Sequence, residues 1–286
     1  MNLRSFLTLI LLLVLSSCSK ERAKLADKEE SPSKIISLAP SITEILCALD
    51  LQEKIVGVTD FCKDPYKKTN FKELSVGGLI NPNFEKILKS KADIVFTLKG
   101  KADHAAKLEK FGMKVITLDH IDLDGVFKSI DVLGKACAVE EKANALHKKL
   151  SAEITQKDNT KGPEVLITIS RLSIQSNIQL WVAGNDGFYS RLLGICAAKN
   201  AIRDKARFSQ ISLEAMMKMN PDYIILLIDK LSENEQQEEK KAWQKLSNLK
   251  AVKNNKFYII TGDEVMIPGP RFPVLLKKLK AVLGND

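Results

Sequence analysis

The sequence predicts an α/β fold: two Rossmann-like lobes with mainly parallel sheets, joined by a single long bridging helix. Three observations carry that expectation. Short apolar strand runs alternate with helical patterns in both halves of the chain, which argues for parallel sheets covered on both faces. A long helical stretch from about Val139 to Gln156 interrupts the alternation, which restarts after Gly162 and Pro163. Finally, NFEKILKSKADIVF (Asn83 to Phe96) returns without a gap as SLEAMMKMNPDYII (Ser212 to Ile225). Each copy opens on a small polar residue, places a Glu two positions on, runs an apolar helical stripe with a Lys, and reaches an Asp before an apolar strand. Glu85/Glu214, Lys89/Lys218 and Asp93/Asp222 are identical between the copies.

At 286 residues the chain exceeds the usual single-domain size, so two domains are expected. Residues 1–17 read as a signal segment: Arg4 precedes an apolar run from Phe6 to Leu15 that is too short to span a bilayer. The run ends in LSSC, which resembles a bacterial lipobox and makes Cys18 the expected lipidation site, anchoring an exported protein to a membrane. Residues 18–33, charged and poor in large apolar side chains, read as a flexible tether. A first lobe over 34–138, a bridging helix over 139–160 and a second lobe over 161–286 complete the division.

Within the first lobe, KIISL is a strand that Pro40 stops. The S-x-x-E spacing of Ser41 and Glu44 then reads as a capping box opening a helix. IVGVT is the second strand, and a polar loop runs to Leu74. The first copy of the doubled phrase supplies a helix from Asn83 and the strand ADIVFTL. A helix from about Ala102 to Phe111 ends at Gly112, and KVITL follows as a strand. Leu123 to Gly134 is helical. The bridging stretch has Glu140 and Glu141 in its first turn and would measure on the order of 27 Å. In the second lobe EVLITIS, DYIILLI and KFYIIT read as strands. GFYSRLLGICAA, SLEAMMKMN, WQKLSNL and a segment from about Pro270 to Leu283 read as helices, with a polar loop before WQKLSNL.

Composition narrows the function. The formal net charge is +9, but Lys is mixed with Glu and no compact Lys/Arg patch with interleaved aromatics occurs, so a nucleic-acid partner is not expected. Cys47, Cys62, Cys137 and Cys196 contain no C-x-x-C, which argues against a zinc site. Cys47 and Cys196 lie in apolar helical patterns and read as buried thiols, although an exported chain permits disulfides. His104 and His147 read as helix-surface residues and His120 follows a strand. No two share a metal-ligand spacing, and no bound metal or cofactor is expected. G-x-S-x-G, H-E-x-x-H, G-x-G-x-x-G and the P-loop pattern are absent, so no catalytic residue is assigned.

Ligands of α/β sheets sit beyond the carboxyl ends of the strands. The loops there carry Phe61, Leu79, Leu98, Lys99, Arg171, Trp181, Arg207, Phe208 and the segment Asp263 to Arg271. Aromatic faces beside a few cations suit a large, partly apolar, anionic ligand. Trp181 is as readily packed as ligand-facing, and Arg271 reads as holding the last loop.

KIISLAPSITEILCALDLQEKIVGVTDFC and VGGLINPNFEKILKSKADIVF resemble the first lobe of the periplasmic binding proteins of ABC importers for vitamin B12 and iron chelates. WVAGNDGFYSRLLGICAAKNAI, FSQISLEAMMKMNPDYIIL and VKNNKFYIITGDEVMIPGPRF resemble the second. The likeness covers about residues 34–284. It implies a monomeric receptor that holds an iron chelate, haem or corrinoid between its lobes and delivers it to an ABC permease and its ATPase. It also implies that Glu85 and Glu214, one per lobe, dock against permease arginines. Each follows a capping residue, in a first turn where the helix dipole favours a carboxylate. Phe61 and Phe208 match aromatic positions of the vitamin B12 binder, Leu79 and Leu98 replace its tryptophans, Asp263 matches an acidic position and Ile267 replaces a cationic one. The rival readings are a surface lipoprotein that keeps the fold as an interaction scaffold and, behind it, a hydrolase. Tight binding of one unaltered small molecule separates the receptor from both.

Overall fold

The computed structural model describes residues 31–65, 70–100, 103–154, 162–172, 179–185 and 187–284. The signal segment and Cys18 lie outside the described residues. Of the expected tether only the last three residues fall inside, and two of them are tied down. Ser31 Oγ donates to the Cys137 carbonyl at 2.7 Å, and the Ser33 amide donates to Asp93 Oδ2 at 2.7 Å.

Two sheets form. The first comprises β1 (Ile35–Ser37), β2 (Ile55–Val58), β3 (Ile94–Leu98) and β4 (Val115–Leu118), in the order β2-β1-β3-β4 with every pair parallel. The second comprises β5 (Glu164–Thr168), β6 (Gln179–Ala183), β7 (Lys199–Asn200), β8 (Phe208–Ser212), β9 (Tyr223–Ile228) and β10 (Phe257–Thr261), in the order β10-β9-β5-β6-β8, with β7 beside β5. The pairs among β10, β9, β5 and β7 are parallel, whereas β6 runs antiparallel between β5 and β8. Central strands are apolar throughout because helices cover both faces. Ile94, Val95 and Phe96 of β3 and Ile224 to Leu227 of β9 are all buried.

The helices are α1 (Pro40–Ala48), α2 (Phe84–Lys89), α3 (His104–Lys110), α4 (Leu123–Ala136), α5 (Glu140–Ala152), α6 (Phe188–Ile195), α7 (Leu213–Met219), α8 (Glu233–Gln244), α9 (Lys250–Lys253) and α10 (Phe272–Leu283). The main apolar cluster spans both sheets, from Ile35 and Phe96 through Phe127 and Leu133 to Ile167, Leu193 and Leu279. Phe127 of α4 meets Phe272 of α10 edge-on, with ring centroids 6.1 Å apart.

The doubled phrase has a physical cause. Asn83 and Ser212 cap α2 and α7 by accepting from Lys86 N and Ala215 N. Ile87 and Met216, at equivalent positions, are fully buried. Lys91 and Asn220 then take left-handed φ angles of 50° and 49° to end their helices. Asp93 Oδ2 accepts from the amide of Lys34, at the entry to β1, and Asp222 Oδ2 from the amide of Glu164, at the entry to β5, each at 2.9 Å. Each aspartate thus pins the start of the neighbouring parallel strand, and the unit is used once per sheet.

Four expectations need correction. The helix after β1 begins at Pro40, which occupies its first turn. Ser41 and Glu44 make no capping box, because their side chains are drawn to His120 and Arg271 instead. A capping box does exist at Ser232 and Glu235. It opens α8 over a segment expected to be a loop, since nearly every side chain there is polar; the buried Glu239 and Trp243 anchor it, and of the helix expected over WQKLSNL only Trp243 and Gln244 are helical, as the end of α8. The bridging helix α5 ends at Ala152, short of Gln156. Glu153 N and Ile154 N bond back three residues, to Leu150 and Ser151, which tightens and closes the last turn. It packs on α4 so closely that a Cβ on Gly134 would meet Ala143 Cβ at 2.3 Å. Lastly, His104 is buried, edge-on to Phe84 with centroids 5.9 Å apart, and not on the helix surface. Strands β6 and β8 were not anticipated. Along β8 exposed and half-buried residues alternate with no fully buried face, so FSQIS lacks the apolar alternation that marks a strand.

Both pinning aspartates sit below the usual carboxylate range. For Asp93 the chief cause is the Lys34 amide, with Ser33 adding to it. For Asp222 it is the Lys250 side chain, acting against partial burial. A depressed folded value supports folding above the unfolded value of 3.8 and is lost as pH falls through the folded value. Asp222→Asn is therefore expected to lower stability by about 1–2 kcal/mol at neutral pH in urea titrations. Its deficit, like that of Asp93→Asn, closes as the pH drops below 3.8.

Candidate functional site

The segments that follow β1, β3 and β4 and those that follow β6 and β10 meet in one gap between the sheets. A cavity of about 230 Å³ lies there. The first side supplies Ala39, Pro40 and Ser41 at the start of α1, Leu79, Leu98 after β3, and His120 and Ile121 after β4. The second supplies Gly187 to Tyr189 at the start of α6, Arg207 and Phe208 at β8, and Met266 to Pro268 before α10. Ligand pockets at such strand ends are the rule for α/β folds.

Polar groups in this wall are few and positioned. Ser41 Oγ lies 2.7 Å from His120 Nδ1. His120 is buried, and burial, only partly opposed by Asp119, depresses its imidazole to about 4, so the ring is neutral at physiological pH. Its Nε2 has no protein partner among the described residues. Tyr189 is held by its hydroxyl donating to the Val265 carbonyl at 2.9 Å. Arg207 Nη2 stands 3.6 Å from Asp119 Oδ1, reaching from the second side to the first.

Behind this wall Arg271 joins the two sides. It donates from Nη2 to Glu44 Oε1, on α1, and from Nη1 to Asp263 Oδ1 at 2.9 Å. Glu44 is buried; burial pushes its carboxyl up to about 6 against the pull of Arg271, which leaves the pair ionised at neutral pH. Burial also disfavours the charge on Arg271, but the hydrogen bonds it donates to Glu44 and Asp263 outweigh that and hold the guanidinium above its ordinary value. A third link, Lys63 to Asp229 at 3.6 Å, crosses the rim.

Of the ligand-facing residues expected from sequence, Leu79, Leu98, Arg207 and Phe208 line the cavity. Lys99 stands beside it, 3.9 Å from Asp119 Oδ2. Asp263 is not in the wall but is engaged by Arg271, and Phe61 is 66% exposed on the loop after β2, outside the lining. Trp181 projects from β6, half-exposed and away from the lining. Arg171 bonds Glu235 and Glu239 of α8 rather than facing the gap. Sequence reasoning passed over Asp119 and Tyr189 and gave His120 no place in the cleft, while Met266 falls within the expected Asp263 to Arg271 segment; only the position of Asp119 and His120 directly after a parallel strand could have flagged them. Glu85 and Glu214 are both exposed, in the first turns of α2 and α7, and Lys89 pairs with Glu85 at 2.6 Å. Cys47, Cys62, Cys137 and Cys196 are buried and form no disulfide with one another. Burial pushes Cys47 up to about 12 and Cys137 and Cys196 up to about 11, so these thiols stay protonated. Among the described residues no group of three or more His, Cys, Asp or Glu could hold a metal ion, and no helix is long and apolar enough to cross a membrane.

Two α/β lobes whose strand ends face a common cavity, tied by ion pairs and one helix, define the class of two-lobed solute-binding proteins. The family model for periplasmic binding proteins matches residues 35–264, and the chain belongs to that family. It is 32% identical over 253 residues to an uncharacterized ABC transporter substrate-binding lipoprotein, YvrC, of Bacillus subtilis (strain 168), covering 85% of this chain and 77% of that protein. It is 24% identical over 245 residues to a vitamin B12-binding protein of Vibrio cholerae, covering 83% and 84% of the two chains. The crystal structure of a possible iron-binding (periplasmic solute-binding) protein from Staphylococcus epidermidis superposes with a TM-score of 0.69 at 28% identity, over 88% of this chain and 99% of that one.

Removing one partner of a buried pair leaves an uncompensated charge, so Arg271→Ala is expected to cost on the order of 3–5 kcal/mol in denaturant titrations. A carboxyl with a raised folded value supports folding fully below the unfolded value of 4.5 and gives up that support as pH rises through about 6. Glu44→Gln is therefore expected to flatten the pH dependence of stability between 4.5 and 6. An unchanged slope there contradicts the assignment.

Proposed function

We propose that this protein is the solute-binding lipoprotein of an ABC importer. It captures a large chelate or corrinoid (an iron–siderophore complex, haem or a cobalamin-like molecule) in the gap between its lobes and delivers it to the permease and its ATPase. The observation that carries this reading is the cavity at the facing strand ends. Its walls are mostly apolar, from Leu79, Leu98, Phe208 and Met266, with Arg207 at one edge. Such a wall suits a molecule with a broad apolar face and a few charged substituents. Family membership and the names of the relatives agree with it.

On this reading export and lipidation at Cys18 keep the receptor at a membrane surface, where it acts as a monomer. Residues 34–138 and 161–286 form the lobes and 139–160 the bridge. The cavity, about 230 Å³, is smaller than the roughly 300–1,000 Å³ of pockets that enclose drug-sized ligands, so such cargo enters by a widening of the gap. The helical bridge and the shared core around Phe127 and Phe272 keep that movement small.

Glu85 and Glu214 are the docking carboxylates. Both are exposed in first turns of equivalent helices, where the dipole favours negative charge and the cap fixes its position. Two separated carboxylates steer and orient a cationic partner, an effect that weakens with salt.

A ligand-dependent rise in melting temperature is expected with at least one of cobalamin, cobinamide, haemin and ferric siderophores; a flat response across the panel contradicts the receptor assignment. Reversing the charge at both Glu85 and Glu214 is expected to abolish uptake in cells while leaving ligand affinity within about twofold. Unimpaired uptake by that variant rejects the docking role.

A further inference from the structure

Arg207 and Lys99, the two cations expected to meet ligand, converge on one carboxylate that no reading of the sequence singled out. Asp119 follows β4 on the first side of the gap. Its Oδ1 accepts from the Ile121 amide at 3.1 Å, which fixes the side chain in its turn. From that position Oδ1 lies 3.6 Å from Arg207 Nη2, across the gap, and Oδ2 lies 3.9 Å from Lys99 Nζ. Arg207 borders the cavity and its amide neighbourhood is anchored, since the Gly184 amide donates to the Arg207 carbonyl at 2.8 Å. The backbone of Arg207 is thus fixed, and the link from its guanidinium to Asp119 is longer than a direct hydrogen bond.

We infer that Asp119 is the internal counter-ion of the cleft, a selectivity residue that the anionic rim of the cargo must displace from Arg207. The inference rests on the proposed receptor function and deepens it: the cargo is an amphiphile with an apolar body and at least one carboxylate or equivalent anionic group. The physical argument is a comparison of two partners for one guanidinium. With Asp119 the pair is loose and half-exposed, with side-chain exposures of 47% for Arg207 and 39% for Asp119. Such pairs are worth between about 0 and 1 kcal/mol. A ligand carboxylate seated against the apolar wall can take a bidentate, charge-assisted geometry and is partly screened from water, which is stronger. Asp119 thus yields to a well-fitted anion. It also taxes every anion that lacks the apolar body to hold it there, which is discrimination by a built-in competitor. When the gap is empty, the same pair draws Arg207 toward the first side and helps hold the lobes together.

The test uses full-length protein and two probes: haemin, which carries two carboxylates, and dicyanocobinamide, which carries none. Absorbance or fluorescence titrations measure both dissociation constants for the wild type, Asp119→Asn and Arg207→Gln. The Asn side chain retains the oxygen that accepts from Ile121, so the turn is preserved while the charge is lost. At low ionic strength Asp119→Asn is expected to raise the affinity for haemin relative to dicyanocobinamide by about threefold to fivefold, the ceiling set by an exposed pair. The gain shrinks at high salt. Arg207→Gln is expected to lower that ratio and, combined with Asp119→Asn, to remove the gain. A ratio that stays constant or falls in Asp119→Asn overturns the inference and leaves the receptor function standing. Binding of dicyanocobinamide without any binding of haemin does the same. Failure of the wild type to bind either probe or any ferric siderophore overturns both.

Discussion

A single guanidinium holds the two halves of the cleft in register. Arg271 sits at the entry to α10, on the second side, and reaches Glu44 on α1 of the first side, 227 positions away in the chain, while its other nitrogen holds Asp263. Glu44 is buried, so removing either side chain strands the other, and the pair fixes a geometry more than it adds stability. That geometry sets the cavity: Ser41 lies one turn before Glu44 on α1, and Met266 to Pro268 lie between Asp263 and Arg271. Move the arginine and both walls move. The helix pair α4 and α5 and the shared apolar cluster support the same arrangement from the opposite side.

The repeated unit gives the two sheets a common construction. In each, a capped helix presents one exposed glutamate near its start and one buried apolar residue in its middle. It ends on a left-handed residue and hands over to an aspartate that fastens the next strand. Different residues of one phrase face different surroundings. The aspartates serve the sheet and the glutamates face solvent.

Much of this was legible in the sequence because it depends on local pattern. Apolar runs such as IVFTL and YIILLI, short and rich in β-branched residues, match central strands of a covered parallel sheet, and the doubled phrase pointed to two matched halves. What escaped depends on partners distant in the chain. Ser41 and Glu44 carry the spacing of a capping box, but His120 and Arg271 claim their side chains, and no local rule foresees that. The polar segment 233–244 hid a helix because its burial rests on Glu239, which accepts from Leu172 N and Trp243 Nε1. The site was half legible: Arg207 and Phe208 stand in the wall, but Asp119 and His120 needed the fold to bring the turn after β4 opposite Arg207.

The central claim is that the gap between the sheets exists to carry one small molecule. Native mass spectrometry of the protein purified from its own host tests it most directly. The account predicts a single co-purifying solute at one-to-one stoichiometry, released intact on denaturation, with an apolar body and an anionic group. A protein that emerges free of solute and takes none up from host extract contradicts it.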